Sequence, residues 1–432
     1  MTVSVFVFSL LGAMAIGMPI AYALLVCGLA LMWFMAATGA LPAFDSQILA
    51  QRFVDGADNF PLLAVPFFLL AGEFMNAGGL SRRIVNLATA WVGHFRGGLG
   101  YVAVMAAIIM ASLSGSAVAD TAALAALLIP MMKRAGYEVN RSAGLISAGG
   151  IIAPVIPPSI GMIVFGVAGN VSITKLFLAG IVPGILMGLA IGVTWWWIAK
   201  RDDIRPAPRV AMKQRLKITV EGFWALALPV VILGGMKMGV FTPTEAAVVA
   251  AVYSFVVGMF IYRELKVREL YGLILAAGKT TAVVMFLVAA AMVSAWLITV
   301  ANIPGEVVKL LEPFLDNKTL LMFIMMVLVV VIGTALDFTP TVLILTPVLM
   351  PVVLKAGIDP VYFGVMFIMN NAIGLITPPV GTVLNVVSGV ARISLDDAFK
   401  GVMPFFLAQL AVLFLLVLFP DIVLVPLKFL MQ

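Results

Sequence analysis

Side chains able to offer oxygen cluster at two places in a chain otherwise poor in them. The first is 112–121 (SLSGSAVADT), with Ser112, Ser114, Ser116 and Asp120 around Gly115. The second is 337–341 (DFTPT), with Asp337, Thr339 and Thr341. Two Pro-Pro interruptions accompany them: 149–159 (GGIIAPVIPPS) and 370–382 (NNAIGLITPPVGT). Each lies inside a long apolar segment. Proline removes a helical N–H and crowds the preceding turn, so it leaves backbone carbonyls unsatisfied. In a membrane those carbonyls need a partner. Hydroxyls, carboxylates and freed carbonyls are hard donors that suit a small hard cation such as sodium, and half-helix N-termini favour an anion. Ser159 in the first interruption and Asn370, Asn371, Thr377, Thr382 and Asn385 in the second add polar groups. Structural readings stand beside these. Small residues also let membrane helices approach closely, and Asp337 or Thr339 ahead of Pro340 also reads as a capped helix start. Covalent or metal catalysis has little to build on, because the chain holds one cysteine, Cys27, and one histidine, His94. Glu73 and Glu245 read as helix-end carboxylates with structural roles.

The elements that must position these groups are membrane helices. Hydrophobic residues make up 63% and charged residues 11% of the 432, with a mean hydropathy of +1.18. Soluble proteins carry about 25% charged residues, and so few charges cannot clothe a soluble surface of this size. Apolar runs long enough to cross about 30 Å of hydrocarbon recur throughout: near 60–77, 98–112, 141–169, 175–199, 222–240, 245–262, 271–300, 319–336, 360–390 and 400–427. The first apolar stretch, 2–41, is too long for one helix and breaks at Gly17-Met18-Pro19. The stretches 112–133 and 337–355 are short, Pro-bearing and rich in Ser and Thr, and read as re-entrant hairpins.

The net charge of +6 does not indicate nucleic-acid binding, because the basic residues sit in short loops, as membrane topology requires. Loop 200–217, with Lys200, Arg201, Arg205, Arg209, Lys213, Arg215 and Lys217 against Asp202 and Asp203, reads as cytoplasmic. Counting from it places 80–97, 133–141 and 263–270 inside, and 45–59, 170–174 and 301–318 outside. Trp195, Trp196 and Trp197 ahead of the basic loop read as an interfacial belt. The run 271–280 (YGLILAAGKT) has one residue too many between its glycines for a P-loop, and no strand precedes it. No nucleotide site is expected, so an ion gradient or a partner must supply the energy.

An internal repeat sets the architecture. Pro130 and Pro351, Gly136 and Gly357, Pro157 and Pro378, Gly180 and Gly401, and Pro183 and Pro404 are each 221 residues apart. The expected organisation is two halves, 1–217 and 218–432. Each has scaffold helices, a hairpin (about 112–133 and about 337–355) and a Pro-broken helix (about 141–169 and about 360–390). Loop 133–141 counts as inside and its counterpart 355–360 as outside, so the halves are expected to be inverted. Inverted repeats with interrupted helices are the plan of secondary transporters, with the site at the breaks near mid-membrane.

The stretches 66–79 (PFFLLAGEFMNAGG), 112–123, 149–159, 241–246 (FTPTEA) and 337–347 (DFTPTVLILTP) resemble the large membrane subunit of tripartite ATP-independent periplasmic (TRAP) transporters, along essentially the whole chain. The resemblance implies an all-α polytopic protein of the bacterial inner membrane, with an inverted-repeat elevator fold and sodium as coupling ion. It places sodium ligands at Ser112, Ser114 and Ser116 with Gly149 and Pro154, and at Thr339 and Thr341 with Gly374 and Thr377. It places a small carboxylate substrate near Asp120, Ser159, Asp337, Asn371 and Thr382. It also implies two partners, a small four-helix membrane subunit (Q) and a soluble periplasmic binding protein (P). The family's substrates are C4-dicarboxylates, sialic acid, sugar acids and similar carboxylates. The alternative is a stand-alone sodium/dicarboxylate symporter that needs no binding protein. No enzyme activity is expected.

Overall fold

The computed structural model describes residues 2–41, 44–202, 206 and 208–431; Asp203 and Arg205 of the basic loop lie outside the described residues. Among those described, every regular element is helical, and nine helical spans are long and apolar enough to cross a membrane. The N-terminal group comprises α1 (Thr2–Ala15), α2 (Ile20–Ala37), α3 (Ser46–Ala57), α4 (Ala64–Ala77) and α5 (Leu80–Val92). Then follow α6 (Gly98–Ser114), α7 (Ala117–Arg134), α8 (Val139–Gly150), α9 (Ile160–Ala168) and α10 (Ile173–Arg201). The second half opens with α11 (Met212–Lys237), α12 (Pro243–Val256), α13 (Val267–Val300) and α14 (Ile303–Leu311). It ends with α15 (Lys318–Ala335), α16 (Phe338–Lys355), α17 (Pro360–Gly374), α18 (Thr382–Ala391), α19 (Leu395–Leu418) and α20 (Asp421–Met431).

The repeat is visible in the helix boundaries. Helices α7 and α16 begin and end 221 residues apart, and so do the starts of α8 and α17. Both interruptions contain a cis Pro-Pro bond, Pro157-Pro158 and Pro378-Pro379.

Several sequence expectations need correction. The stretches 112–133 and 337–355 are not complete hairpins. Each supplies one helix, α7 or α16, and the bends fall at its start, at Gly115-Ser116 and Leu336-Asp337. The helices that lead into the bends are α6, which packs along α7, and α15, which packs chiefly on α17. Pro340 sits in the first turn of α16, where no intrahelical N–H is required. The apolar run 400–427 is two helices, α19 and α20, parted at Phe419-Pro420. Trp195 is not interfacial. Consecutive helix positions diverge by about 100°, so only Trp196 and Trp197 face outward (55% and 58% exposed) while Trp195 is buried. Its Nε1–H donates to the Gly97 carbonyl at 2.8 Å, and its ring stacks on Tyr137 with centroids 6.0 Å apart.

Two assemblies of helices emerge from the packing. The first joins α2, α3, α4, α12 and α13, with α5 and α11 alongside; the second joins α6 to α10 with α15 to α19. In lipid the hydrophobic effect does not drive helix association, and close backbone approach replaces it. Gly144 on α8 and Gly401 on α19 show this directly: a Cβ on either would collide with the other helix's backbone. Within the first assembly, Ser294 on α13 donates to the Leu24 carbonyl of α2 at 2.8 Å. The assemblies meet where α5 packs on α6 and where α13 packs on α16.

Candidate functional site

Both bends and both interruptions converge on one region. The α6–α7 bend is made by Gly115, in the left-handed region at φ 64°, and a Cβ there would strike the Pro158 carbonyl. The tip of the first bend is thereby seated on the first interruption. Ser114 Oγ donates to Asp120 Oδ1 at 2.5 Å and accepts from the Ser116 backbone N–H at 3.2 Å. Ser116 in turn caps α7 by accepting from the Ala119 N–H. Ser159 caps α9 by accepting from the Met162 N–H, and donates to the Pro154 carbonyl at 2.5 Å, closing the first interruption on itself.

The second half uses different residues for the same purpose. Asp337 is the N-cap residue of α16, yet its carboxylate makes no capping bond. It accepts instead from the Thr382 hydroxyl at 3.3 Å, across to the start of α18. Thr341 donates back to the Asp337 carbonyl at 2.8 Å. Asn371 Nδ2 donates to the Phe338 carbonyl at 2.8 Å, which ties α17 to the second bend. Gly333 and Gly374 allow α15 and α17 to touch through their backbones at this level.

A buried oxygen without a donor lies beside each bend. Asp120 Oδ2 is unpartnered in the first half, and Asn371 Oδ1 in the second, joined by Asn370 Oδ1. The repeat shows how this arises. At the 221 spacing Asp120 corresponds to Thr341, and Gly149 and Gly150 correspond to Asn370 and Asn371. The first half carries its strong acceptor on the hairpin helix opposite glycines on the broken helix. The second half carries it on the broken helix opposite a threonine. An unpaired buried acceptor costs about 1–3 kcal/mol, so each half retains one where a cation could satisfy it.

Between the two bends lies a central cavity of about 150 Å³. Ser116, Pro154, Asp337, Thr339 and Thr382 line it, as does the backbone of Gly115. The other predicted residues do not. Ser114, Asp120 and Asn371 lie one layer behind, bracing the bends through the bonds described above. Ser112 is turned away, its hydroxyl donating to the Ile109 carbonyl at 2.6 Å, and Thr377 likewise donates to the Ile373 carbonyl at 3.0 Å. Gly149 packs against Ala107, and Gly374 against Gly333, as packing positions.

Sequence reasoning missed the opposite wall of the cavity, formed by Leu69 of α4 and by Thr280 and Val284 of α13. A signal existed: Lys279, Thr280 and Thr281 interrupt an otherwise apolar span, and polar groups at membrane depth are costly unless used. Glu245 is confirmed as structural. It completes a capping box, its carboxylate accepting from the Thr242 N–H at 2.8 Å.

The model of the family described as "Tripartite ATP-independent periplasmic transporter, DctM component" matches residues 7–422. The chain is 58% identical to the 2,3-diketo-L-gulonate TRAP transporter large permease protein YiaN of Escherichia coli over 99% of both chains. It is 37% identical to the sialic acid TRAP transporter large permease protein SiaM of Vibrio cholerae, covering 96% of each. With the C4-dicarboxylate TRAP transporter large permease protein DctM of Pseudomonas aeruginosa it shares 38% identity, over 87% of this chain and 88% of that one. Among solved structures, the YdaH transporter of Alcanivorax borkumensis superposes with a TM-score of 0.65 at 16% identity, covering 92% of this chain and 96% of that one, which shows a shared fold. With nearly its whole length matched, the chain belongs to the DctM family, the large permease subunits of TRAP transporters, and is a multi-pass protein of the inner membrane.

Proposed function

We propose that the protein is the membrane-translocating subunit of a sodium-driven importer of a small organic acid, working with a small membrane subunit and a periplasmic binding protein. The pair of unpartnered buried oxygens, Asp120 Oδ2 and Asn371 Oδ1, carries the sodium reading. Both sit beside a helix bend, Asp120 held by the Ser114 hydroxyl and Asn371 tied to the Phe338 carbonyl. Hard oxygen donors with no protein donor of their own are what a sodium ion would complete. The carboxylate substrate would lie in the central cavity, against the Ser116 hydroxyl, the starts of α7 and α16, and Thr382. Asp337 there repels a bare carboxylate, which makes binding depend on sodium arriving first. Two sodium ions with a monoanion would carry one net charge inward, a gain of about 2.3 kcal/mol per 100 mV.

The substrate class follows from the relatives. The 2,3-diketo-L-gulonate permease is by name a sugar-acid carrier, and its identity over the full length makes a keto sugar acid the first compound to test. In this reading the halves are inverted repeats, as the loop charges suggest. The assembly holding both bends moves as an elevator against the one built on α2, α4, α12 and α13. The test is uptake of labelled 2,3-diketogulonate, succinate and sialic acid into proteoliposomes holding this chain and its small subunit. Accumulation should need sodium outside and the cognate binding protein. Equal uptake with potassium in place of sodium would refute the coupling, and equal uptake without binding protein would point to a stand-alone carrier.

A further inference from the structure

Three helices each present one continuous face to two separate cavities. On α13, Thr280 and Val284 line the central cavity, while Met292, Trp296 and Thr299 line a second cavity of about 310 Å³. On α16, Thr339 lines the first, and Leu343 and Pro347, one and two turns further along, line the second. On α9, Gly161 lines the first and Ala168 the second. Spacings of three, four and seven keep residues on one helix face, so the two cavities lie along a common seam between the two assemblies. From Val284 to Met292 the separation along α13 is about 12 Å. Val288, fully buried, sits between them. The second cavity lies toward the α13 C-terminus, on the side that the loop charges assign to the periplasm.

Arg52 of α3 is the one cation lining this second cavity among the described residues. Its guanidinium lies 5.6 Å from the centroid of the Trp296 ring, which forms the wall behind it. Its contact with Asp55 is long, 3.9 Å, between side chains 47% and 52% exposed. Asp55 lines the same cavity, but pairs of this kind contribute little, so the guanidinium can turn from Asp55 to another anion at small cost. A planar fork of N–H donors matches a carboxylate in two-point contact, and the Trp296 ring offers a flat apolar face to a carbon chain. We propose that this cavity is an outer subsite for the carboxylate cargo. Arg52 and Trp296 hold the acid there before it passes along the Thr339–Leu343–Pro347 face into the central cavity. The inference rests on the organic-anion reading above but assigns a separate location and separate residues.

The chain's single cysteine makes a direct test simple. In a Cys27→Ala background, T299C places a thiol in the outer cavity, where Thr299 bonds only to its own helix, at the Ala295 carbonyl. The complex with the small subunit is reconstituted without binding protein. Rates of modification by an anionic (sulfonatoethyl) and a cationic (trimethylammonioethyl) methanethiosulfonate are then compared. R52Q should lower the anionic-to-cationic rate ratio about threefold, the effect of one charge several ångströms away in a wet cavity. D55N should raise it. Millimolar 2,3-diketogulonate or succinate should slow both reagents when Arg52 is present and neither in R52Q. In uptake assays R52Q should raise KM with little change in kcat, and R52K should recover part of the loss. An unchanged rate ratio in R52Q, an absence of protection by every acid, or D55N behaving like R52Q would overturn the subsite. Sodium-driven uptake that persists alongside such a result leaves the carrier reading intact. A ratio that shifts with protection, in a protein that imports none of the acids, would sustain the anion site and refute the carrier reading.

Discussion

Removing the Ser114 hydroxyl is the sharpest single perturbation of the first helix bend. That oxygen donates to Asp120 Oδ1 at 2.5 Å and accepts from the Ser116 N–H at 3.2 Å, with Ser114 and Asp120 only 5% and 3% exposed. It therefore fixes the carboxylate and the bend relative to each other. In S114A the carboxylate keeps no protein donor among the described residues, and the bend loses its internal brace. A hydrogen bond to a charged group contributes about 1.5–3 kcal/mol net. If pre-organising the bend serves sodium binding, the same energy appears as a rise of about 10- to 100-fold in the sodium concentration giving half-maximal uptake. Ser112 provides the control, because its hydroxyl is already committed to the Ile109 carbonyl; S112A should stay within about twofold, consistent with a surface-like hydroxyl deletion. S114T restores a hydroxyl and should recover much of the loss, which separates a missing ligand shell from misfolding. The assay is a sodium titration of acid uptake in proteoliposomes at fixed ionic strength. An unchanged or tighter sodium dependence in S114A, or equal effects in S112A and S114A, would refute the assignment of the bend to sodium.

Other substitutions probe the remaining contacts. G115A forces a Cβ into a left-handed residue, at about 1–2 kcal/mol, and against the Pro158 carbonyl; uptake should collapse while the melting temperature falls by only a few degrees. D337N, with the Asp337–Thr382 contact at 3.3 Å kept as a neutral hydrogen bond, should remove the repulsion felt by the free anion. Acid binding to the complex, followed by calorimetry, should then depend less on sodium; an unaltered sodium requirement would count against Asp337 facing the cargo. W195F removes one of two donors to the Gly97 carbonyl, leaving the Gly100 N–H at 2.9 Å, and should destabilise the complex by about 0.5–1.5 kcal/mol with little effect on the sodium requirement, read by thermal unfolding and a sodium titration.

Much of the architecture was legible because membrane burial constrains composition so strongly. Apolar runs located most spans, and the Pro and Gly pairs at a fixed spacing exposed the duplication. Boundaries set by local capping were less visible. Helix α16 starts just after Asp337, which makes no capping bond, with Pro340 in its first turn, and the bend before α7 is made by the left-handed Gly115. The polar clusters fall at the two helix bends, but the sequence did not order their layers. Ser116, Asp337, Thr339 and Thr382 reach the cavity, whereas Ser112 and Thr377 bond to their own helices. Hydroxyls four residues from a carbonyl can always turn inward, and sequence alone does not reveal which ones do. The wall contributed by α13 was obscured because Thr280 sits in a long helix with no proline or glycine pair to flag a break. The exchange of positions between Asp120 and the Asn370-Asn371 pair follows from the 221 spacing, but that these acceptors are buried without donors is seen only in the structure.

Coupling itself is tested most directly by counting both cargoes in the same vesicles. Proteoliposomes containing this chain and its small subunit, supplied with binding protein, are given radioactive sodium and a differently labelled acid, and a membrane potential is imposed. Sodium influx should require the acid, more than one sodium should enter per monoanion, and an interior-negative potential should speed both. Acid accumulation with no matching sodium influx, or uptake indifferent to the potential at a fixed sodium gradient, would contradict this coupling.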